Sequence, residues 1–191
     1  NEGLTSEKMN KDLEESFTIV ARIKLSSNKT NTIVGYSGAW ADRNFQFKTN
    51  VANELQLHIT DGGSTQVVSH STPLTLDEWT FVAVSYDFGV NNILLQVNAD
   101  EDNFAITTPL QISNKVMAIG GLVGGSDTFN GTIDELYIYR EYLNSTQIGE
   151  FLIDPPYMLG DENVYYTFNE NGGHLTNIID YGALGVDGTS F

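Results

Sequence analysis

The sequence predicts an all-β fold of the two-sheet sandwich or barrel class, and three observations support this prediction. Short segments rich in β-branched and aromatic residues recur along the 191-residue chain, and apolar and polar residues alternate within them. Turns rich in Gly, Asn and Asp separate these segments. Helical patterns are few, so packed sheets are the layers that this chain can form.

The first predicted strand begins at Phe17 and has one apolar face and one polar face that is expected to contact solvent. Its apolar face comprises Phe17, Ile19, Ala21, Ile23 and Leu25. Further strands are predicted at short spacing, over residues 32–37, 45–49, 55–60, 66–69, 79–86, 93–97, 116–119 and 129–140.

Two of these strands are predicted to form a hairpin at the centre of a sheet. Residues 79–86 are largely apolar on both faces, which is typical of a central strand. Residues 93–97 are expected to pair back on them, with residues 98–102 as the far loop.

The one well-marked helix is predicted to begin at Asn144. Gln147 is placed to bond back toward Asn144, as in a capping box. Two consecutive prolines end the segment. The apolar side that packs on the sandwich comprises Ile148, Phe151 and Leu152.

Two motifs carry a family resemblance. The segments DEWTFVAVSYD (77–87) and FNGTIDELYIY (129–139) resemble the W-x-x-V-A-x-x-Y/F-D and F-x-G-x-I-D-E-V-x-I-Y patterns of laminin-G-like domains, which are concanavalin A-like lectin/glucanase jelly rolls. The resemblance covers about residues 16–152. It implies an all-β, antiparallel two-sheet jelly-roll sandwich, in which Trp79 packs between the sheets.

The domain organisation is predicted as a jelly roll over residues 1–153 and a tail over residues 154–191. The tail segment YYTFNENGG resembles the strand that opens such a domain. The tail therefore either docks on the sandwich as an edge strand or begins a second unit. A lone strand cannot bury its apolar face, which favours docking.

Composition excludes some classes of partner. With 9 basic and 25 acidic residues, the formal charge is −16, which disfavours nucleic-acid binding. Apolar runs are too short for a membrane helix, so no membrane insertion is expected in this segment. The absence of cysteine excludes a disulfide and a zinc ribbon.

Catalysis is not expected. Asp134 and Glu135 are adjacent strand residues and should point to opposite faces, so they are not a catalytic pair. The glucanase branch of the resembling family carries an E-x-D-x-E type run, which is lacking here. His58 should lie opposite the apolar face of its strand and face solvent or a concave surface.

The predicted ligand-binding site is the loop around Trp40. An exposed Trp can stack on a sugar ring while polar neighbours hydrogen-bond its hydroxyls. The alternative is that Trp40 caps one end of the core. The predicted binding residues are Trp40, Asp42, Arg43 and Asn44.

Calcium and glycosylation are the remaining predictions. The resemblance implies a calcium ion beside Asp134, joined by Asp180 and Asp187 if the tail docks. The alternative is that Asp134 only accepts hydrogen bonds from turn amides. Three N-x-S/T sequons begin at Asn28, Asn130 and Asn144. They fit a secreted or cell-surface glycoprotein. The alternative is that they occur by chance, because the chain is rich in Asn and Thr.

The leading functional hypothesis is a non-catalytic extracellular recognition or adhesion module that binds a glycan or protein ligand. It would form part of a larger surface or secreted protein, with neighbouring domains as further partners. One alternative is a structural repeat of a filament or stalk, linked by a donated strand. The other is a glycoside hydrolase.

Overall fold

Eleven strands and one helix make up the described part of the chain. A computed structural model describes residues 16–36, 45–60, 63–108, 110, 117–122, 127–153 and 164–166. The elements are β1 Phe17–Leu25, β2 Asn31–Tyr36, β3 Phe45–Thr49, β4 Glu54–Thr60, β5 Thr65–Pro73, β6 Trp79–Asp87, β7 Asn92–Val97, β8 Asp100–Ala105, β9 Met117–Ile119, β10 Gly131–Tyr139, α1 Ser145–Ile153 and β11 Val164–Tyr166.

The strands form two antiparallel sheets. One has six strands in the order β11-β10-β1-β6-β7-β8, and the other has five in the order β5-β4-β3-β2-β9. Every pairing is antiparallel. The inner faces bury a common core, so the predicted two-sheet jelly-roll sandwich is confirmed.

The core forms where the apolar sides of the alternating strands meet. The five apolar positions predicted for β1 all lie in it. At one end, the rings of Phe17 and Phe45 stack at 4.7 Å across the two sheets, and Tyr36 meets Phe45 edge-on at 5.4 Å. Burying each such side chain contributes about 1.5–3 kcal/mol, which makes this interface the main source of stability.

The helix α1 covers part of the outer face of the six-stranded sheet. Phe151 contacts the rings of Tyr137 and Tyr139 at 5.1 and 5.6 Å. The predicted capping box is confirmed: the Gln147 amide donates to Asn144 Oδ1, and the Asn144 amide donates to Gln147 Oε1, both at 3.0 Å. These bonds satisfy helix N–H groups that have no intrahelical partner.

The loop predicted over residues 98–102 is wrong. Only Asn98 and Ala99 turn, and Asp100–Ala105 forms the edge strand β8, which pairs with β7. Asn98 adopts the left-handed conformation that such a tight turn needs (φ 53°). The strand was missed because its acidic sequence, DEDNFA, lacks the usual strand-forming residues. Edge strands tolerate such charges and use them to prevent pairing with other chains.

The expected alternation fails at Glu135. Ala21 of β1 lies opposite two residues of β10, Glu135 and Leu136, which is a β-bulge. Glu135 has a positive φ of 50°. Its carboxylate reaches the outer face, where it pairs with Arg22 Nε at 2.9 Å. Asp134 is the cross-strand partner of Arg22, so the two acidic residues do not point to opposite faces as predicted.

The prediction that Trp79 packs between the sheets is also wrong. Trp79 is 49% exposed. It is the first residue of β6 and lies on the outer face, two residues before Phe81, which belongs to the apolar cluster around α1. The indole therefore lies beyond the area that the helix covers.

Hydrogen bonds join the two sheets along the side where β5 and β8 meet. Gln66 Nε2 donates to the Ala105 carbonyl oxygen at 3.0 Å. The Thr72 amide donates to His70 Nδ1 at 3.0 Å, so His70 Nε2 carries the proton and donates to the Asp100 carbonyl oxygen at 3.1 Å. We call these contacts the β5–β8 seam.

The short strand β11 comes from the predicted tail. Its three residues pair with Leu136, Tyr137 and Ile138 of β10, at the edge of the six-stranded sheet. The rest of residues 154–191 lies outside the described residues. The division of the chain at residue 153 stays a prediction.

Candidate functional site on the five-stranded sheet

The loop predicted to bind a ligand lies outside the described residues. It joins β2 to β3, and the residues that flank it, Tyr36 and Phe45, are both fully buried. The structure does not test the predicted residues themselves, which are Trp40, Asp42, Arg43 and Asn44.

The outer face of the five-stranded sheet is polar. Because Phe47 of β3 and Leu57 of β4 point into the core, their neighbours along each strand point outward. Cross-strand pairing brings these outward residues side by side in two rows. We call this set the polar face, and it comprises Gln46, Lys48, Gln56, His58 and Ser69.

Hydrogen bonds connect the polar face along and across the strands. Lys48 Nζ donates to Gln46 Oε1 at 3.4 Å. His58 Nε2 contacts Gln56 Oε1 at 3.1 Å, and because that oxygen only accepts, Nε2 carries the proton. Gln56 Nε2 donates in turn to Ser69 Oγ at 2.8 Å. This network holds the amide and imidazole groups in defined orientations.

Part of this face is buried, and two polar groups in it or beside it lack a partner among the described residues. Gln46 is fully buried and Lys48 is 6% exposed, although both point away from the core. Gln46 Nε2 and Thr32 Oγ1 have no hydrogen-bond partner among the described residues. An unsatisfied buried polar group costs about 1–3 kcal/mol, so such groups commonly mark the place of a water or a ligand.

The accessible part of the polar face lies on β4 and β5. Gln56, His58 and Ser69 are half-buried there, and Val67, the cross-strand partner of His58, is 46% exposed. An apolar surface beside several oriented donors and acceptors is the combination that binds a sugar ring and its hydroxyls. Sequence analysis placed His58 on this side of its strand. It missed the other four residues because nothing in the sequence shows that they meet.

Of the three predicted calcium ligands, Asp134 is the one that lies among the described residues. Asp134 Oδ1 accepts a hydrogen bond from the Glu135 amide at 2.9 Å, as in the alternative interpretation. Among the described residues, no three acidic or histidine side chains are grouped to hold a metal. Asp180 and Asp187 lie outside the described residues. Calcium stays a prediction, and a thermal melt with and without chelator tests it: an unchanged midpoint would contradict it.

The three sequon asparagines are exposed. Asn28 Oδ1 accepts a hydrogen bond from Asn53 Nδ2 at 3.2 Å, and Asn144 uses its Oδ1 in the capping box. In both residues the nitrogen that would carry a glycan is the other amide atom, so these bonds do not compete with attachment. Glycosylation of Asn28, Asn130 and Asn144 stays a prediction, which intact-protein mass measurement tests.

The two-sheet fold agrees with the family resemblance of the two sequence motifs. The chain belongs to the concanavalin A-like lectin/glucanases superfamily, whose laminin-G-type family model matches residues 2–149. No curated protein sequence matches the chain significantly. Among the described residues, no helix is long and apolar enough to cross a membrane.

Solved structures share this fold at low sequence identity. A "putative carbohydrate binding protein" from Bacteroides ovatus superposes with a TM-score of 0.72 at 19% identity, and the match covers 92% of this chain and 52% of that one. This chain thus spans about half the length of the Bacteroides protein.

Two further structures cover most of their own chains. A heptameric SAP-like pentraxin from Limulus polyphemus gives a TM-score of 0.61 at 17% identity, covering 92% of this chain and 83% of that one. The CBM40 of the Ruminococcus gnavus IT-sialidase, bound to α2,3-sialyllactose, gives a TM-score of 0.60 at 20% identity. The match covers 73% of this chain and 84% of that one. At these identities the likeness shows the fold alone.

Proposed function

We propose that the chain is a non-catalytic glycan-binding module of a larger secreted or cell-surface protein, and that it binds its ligand on the polar face. The observation that carries this proposal is the network of oriented amide and imidazole groups of Gln56 and His58 beside the exposed Val67. A saccharide offers the many hydroxyl groups that such a surface can bind. The carbohydrate-bound CBM40 of the same fold supports the proposal.

Glycan-array screening followed by calorimetry tests this proposal. Gln56→Ala and His58→Ala should each weaken binding by roughly threefold to tenfold, since each removes about one hydrogen-bonding group. The matched control is Asn103→Ala on the exposed edge strand β8 of the other sheet, which should leave the affinity unchanged. Silence on the array, or equal binding by both face variants and the wild type, would contradict the proposal.

The absence of catalysis is part of the same proposal and needs its own measurement. Glycosidases need two carboxylates that flank one bond. In the described residues, the adjacent pair Asp134 and Glu135 lies beside Arg22, and Glu135 is already ion-paired with it. Incubation with a polysaccharide panel should release no reducing ends, and sustained release would establish the glycoside hydrolase alternative.

A second candidate function is a structural repeat linked by a donated strand. The pairing of β11 with the edge of β10 favours it, because another copy could supply the same strand to the same edge. Mass measurement over a range of concentrations separates the two functions. Chains that grow with concentration support strand donation, and a monomer at every concentration opposes it.

A further inference from the structure

Trp79 is exposed at a place where the fold does not require an exposed aromatic residue. It is 49% exposed, whereas the next seven residues of β6 are buried. It lies on the outer face of the six-stranded sheet, on the opposite side of the sandwich from the polar face. About half of this large aromatic side chain stays in contact with water, and an aromatic ring so placed can stack on a sugar ring.

The indole ring is held in place by its neighbour on β1. Lys24 is the cross-strand partner of Trp79, and its Nζ lies over the ring, 5.3 Å from the centroid. A cation–π contact at an exposed site contributes roughly 0.5–1 kcal/mol. The contact fixes the orientation of the indole relative to β1. A ring that is already oriented loses less entropy when a ligand stacks on it.

Polar groups lie beyond Lys24 on the same face of the sheet. Thr132 is the β10 partner of Lys24, and it is exposed. The ion pair of Arg22 and Glu135 lies one step further along the two strands. Because neighbouring strands are about 4.8 Å apart, the surface from Trp79 across β1 to Thr132 spans roughly 10 Å. This width suits a saccharide of two rings.

We propose that Trp79 is the centre of a second saccharide-binding site, in which one pyranose ring stacks on the indole while hydroxyls of the neighbouring ring bond to Thr132 and to the Arg22–Glu135 pair. A protein partner fits less well, because a stable interface buries about 800 Å² on each side. The adjacent apolar residues of this face, such as Phe81 and Tyr137, are already buried in the cluster around α1. Two sites on opposite sheets would let one module bridge two glycan chains.

Fluorine NMR of protein labelled with 5-fluorotryptophan tests the proposal. The chain has two tryptophans, so Trp79→Phe assigns the two signals. The probes are lactose, cellobiose and 3′-sialyllactose. At least one of them should shift the Trp79 signal with saturation, and Lys24→Met should weaken that binding by roughly threefold to tenfold through loss of the oriented ring.

A double variant distinguishes this site from the polar face. With Gln56→Ala and His58→Ala combined, the Trp79 signal should still shift as in the wild type, even if binding at the polar face is lost or never existed. No saturable shift of the Trp79 signal with any of the three sugars would overturn the proposal, and so would a shift that disappears in the double variant.

Discussion

Two glycines show opposite local requirements. Gly131 begins β10 with a φ of 153°, and a Cβ at this position would overlap the carbonyl oxygen of Lys24 on β1. Only glycine fits this close approach of two strands. Gly149 lies within α1, and a Cβ there would meet nothing within 4 Å. The structure therefore has no room for a methyl group at Gly131, whereas it has room for one at Gly149.

Alanine substitution should therefore change stability in opposite directions at these two positions. Gly131→Ala should lower the free energy of unfolding by more than about 2 kcal/mol, because the backbone must move. Gly149→Ala should raise it by about 0.5–1 kcal/mol through the better helix propensity of alanine. Urea unfolding measures both, and a Gly131→Ala variant as stable as the wild type would contradict the assigned geometry.

Asp102 contributes a pH dependence to the β5–β8 seam. Hydrogen bonds from the Ser71 amide, at 2.6 Å, and from the Ser71 hydroxyl hold the pKa of Asp102 below its ordinary value. A carboxyl group with a lowered folded-state pKa stabilises the fold above its unfolded pKa, about 3.9. This stabilisation is lost as the pH falls through the folded pKa.

The Asp102→Asn variant should be less stable than the wild type at neutral pH, and the two should converge below about pH 4. Urea midpoints measured from neutral to acidic pH check this. Glu101 is an exposed neighbour on the same strand, so Glu101→Gln is the control. The urea midpoint of this variant should change with pH in the same way as that of the wild type. If the difference between the urea midpoints of the wild type and Asp102→Asn stayed constant at all pH values, it would contradict the assigned role of Asp102.

At the level of elements, α1 depends on its cap as well as on its apolar side. The capping box and the packing of Ile148 and Phe151 act together, because a nine-residue helix is too short to be stable by itself. Thr18 and Ser85 fix the chain just before the helix, since the Leu143 amide donates to both hydroxyl oxygens, at 2.9 and 3.0 Å. Hydrogen bonds therefore hold the N-terminus of the helix, and apolar contacts hold the rest of it against the sheet.

Asn144→Ala should lower the free energy of unfolding by about 1 kcal/mol, because the first-turn amides lose their acceptor. Asn144→Asp keeps an acceptor oxygen and is the matched control, with a loss near zero. Urea unfolding of the unglycosylated protein measures both variants. Equal losses for the two substitutions would show that the cap oxygen is unimportant.

The sequence predicts regular elements well and local irregularities poorly. β3 begins and ends where predicted, because Phe45 and Phe47 alternate clearly with polar residues. The bulge at Glu135 follows from pairing with a distant strand, which a single strand pattern does not show. The exposure of Trp79 depends on where α1 ends on the sheet, and the hydrogen-bond network of Gln56, His58 and Ser69 depends on the pairing of β4 with β5. Such features come from tertiary packing.

At the scale of the whole molecule, the tail strand completes an edge that would otherwise be open. The side of β10 that faces away from β1 is paired with β11 at Leu136, Tyr137 and Ile138. An unpaired edge leaves backbone groups without partners and invites aggregation. The tail strand should therefore support both the stability and the solubility of the sandwich.

Deletion of residues 154–191 should lower the thermal midpoint and increase aggregation on heating, since β10 loses its outer partner. Calorimetry and light scattering measure the two effects. Deletion of residues 167–191 alone, which keeps β11, is the control. A protein that retains its full thermal midpoint without residues 154–191 would show that the tail does not support the sandwich.

The β5–β8 seam has a consequence for assembly. Because side chains of Gln66 and His70 already bind backbone oxygens of β8, that flank of the sandwich is closed to an incoming backbone. Any extension of the sheets by a foreign segment is then restricted to the opposite flank, where β11 and β9 form the margins. A donated segment could therefore extend the sandwich at this one flank only, so each copy would accept a foreign strand on a single side.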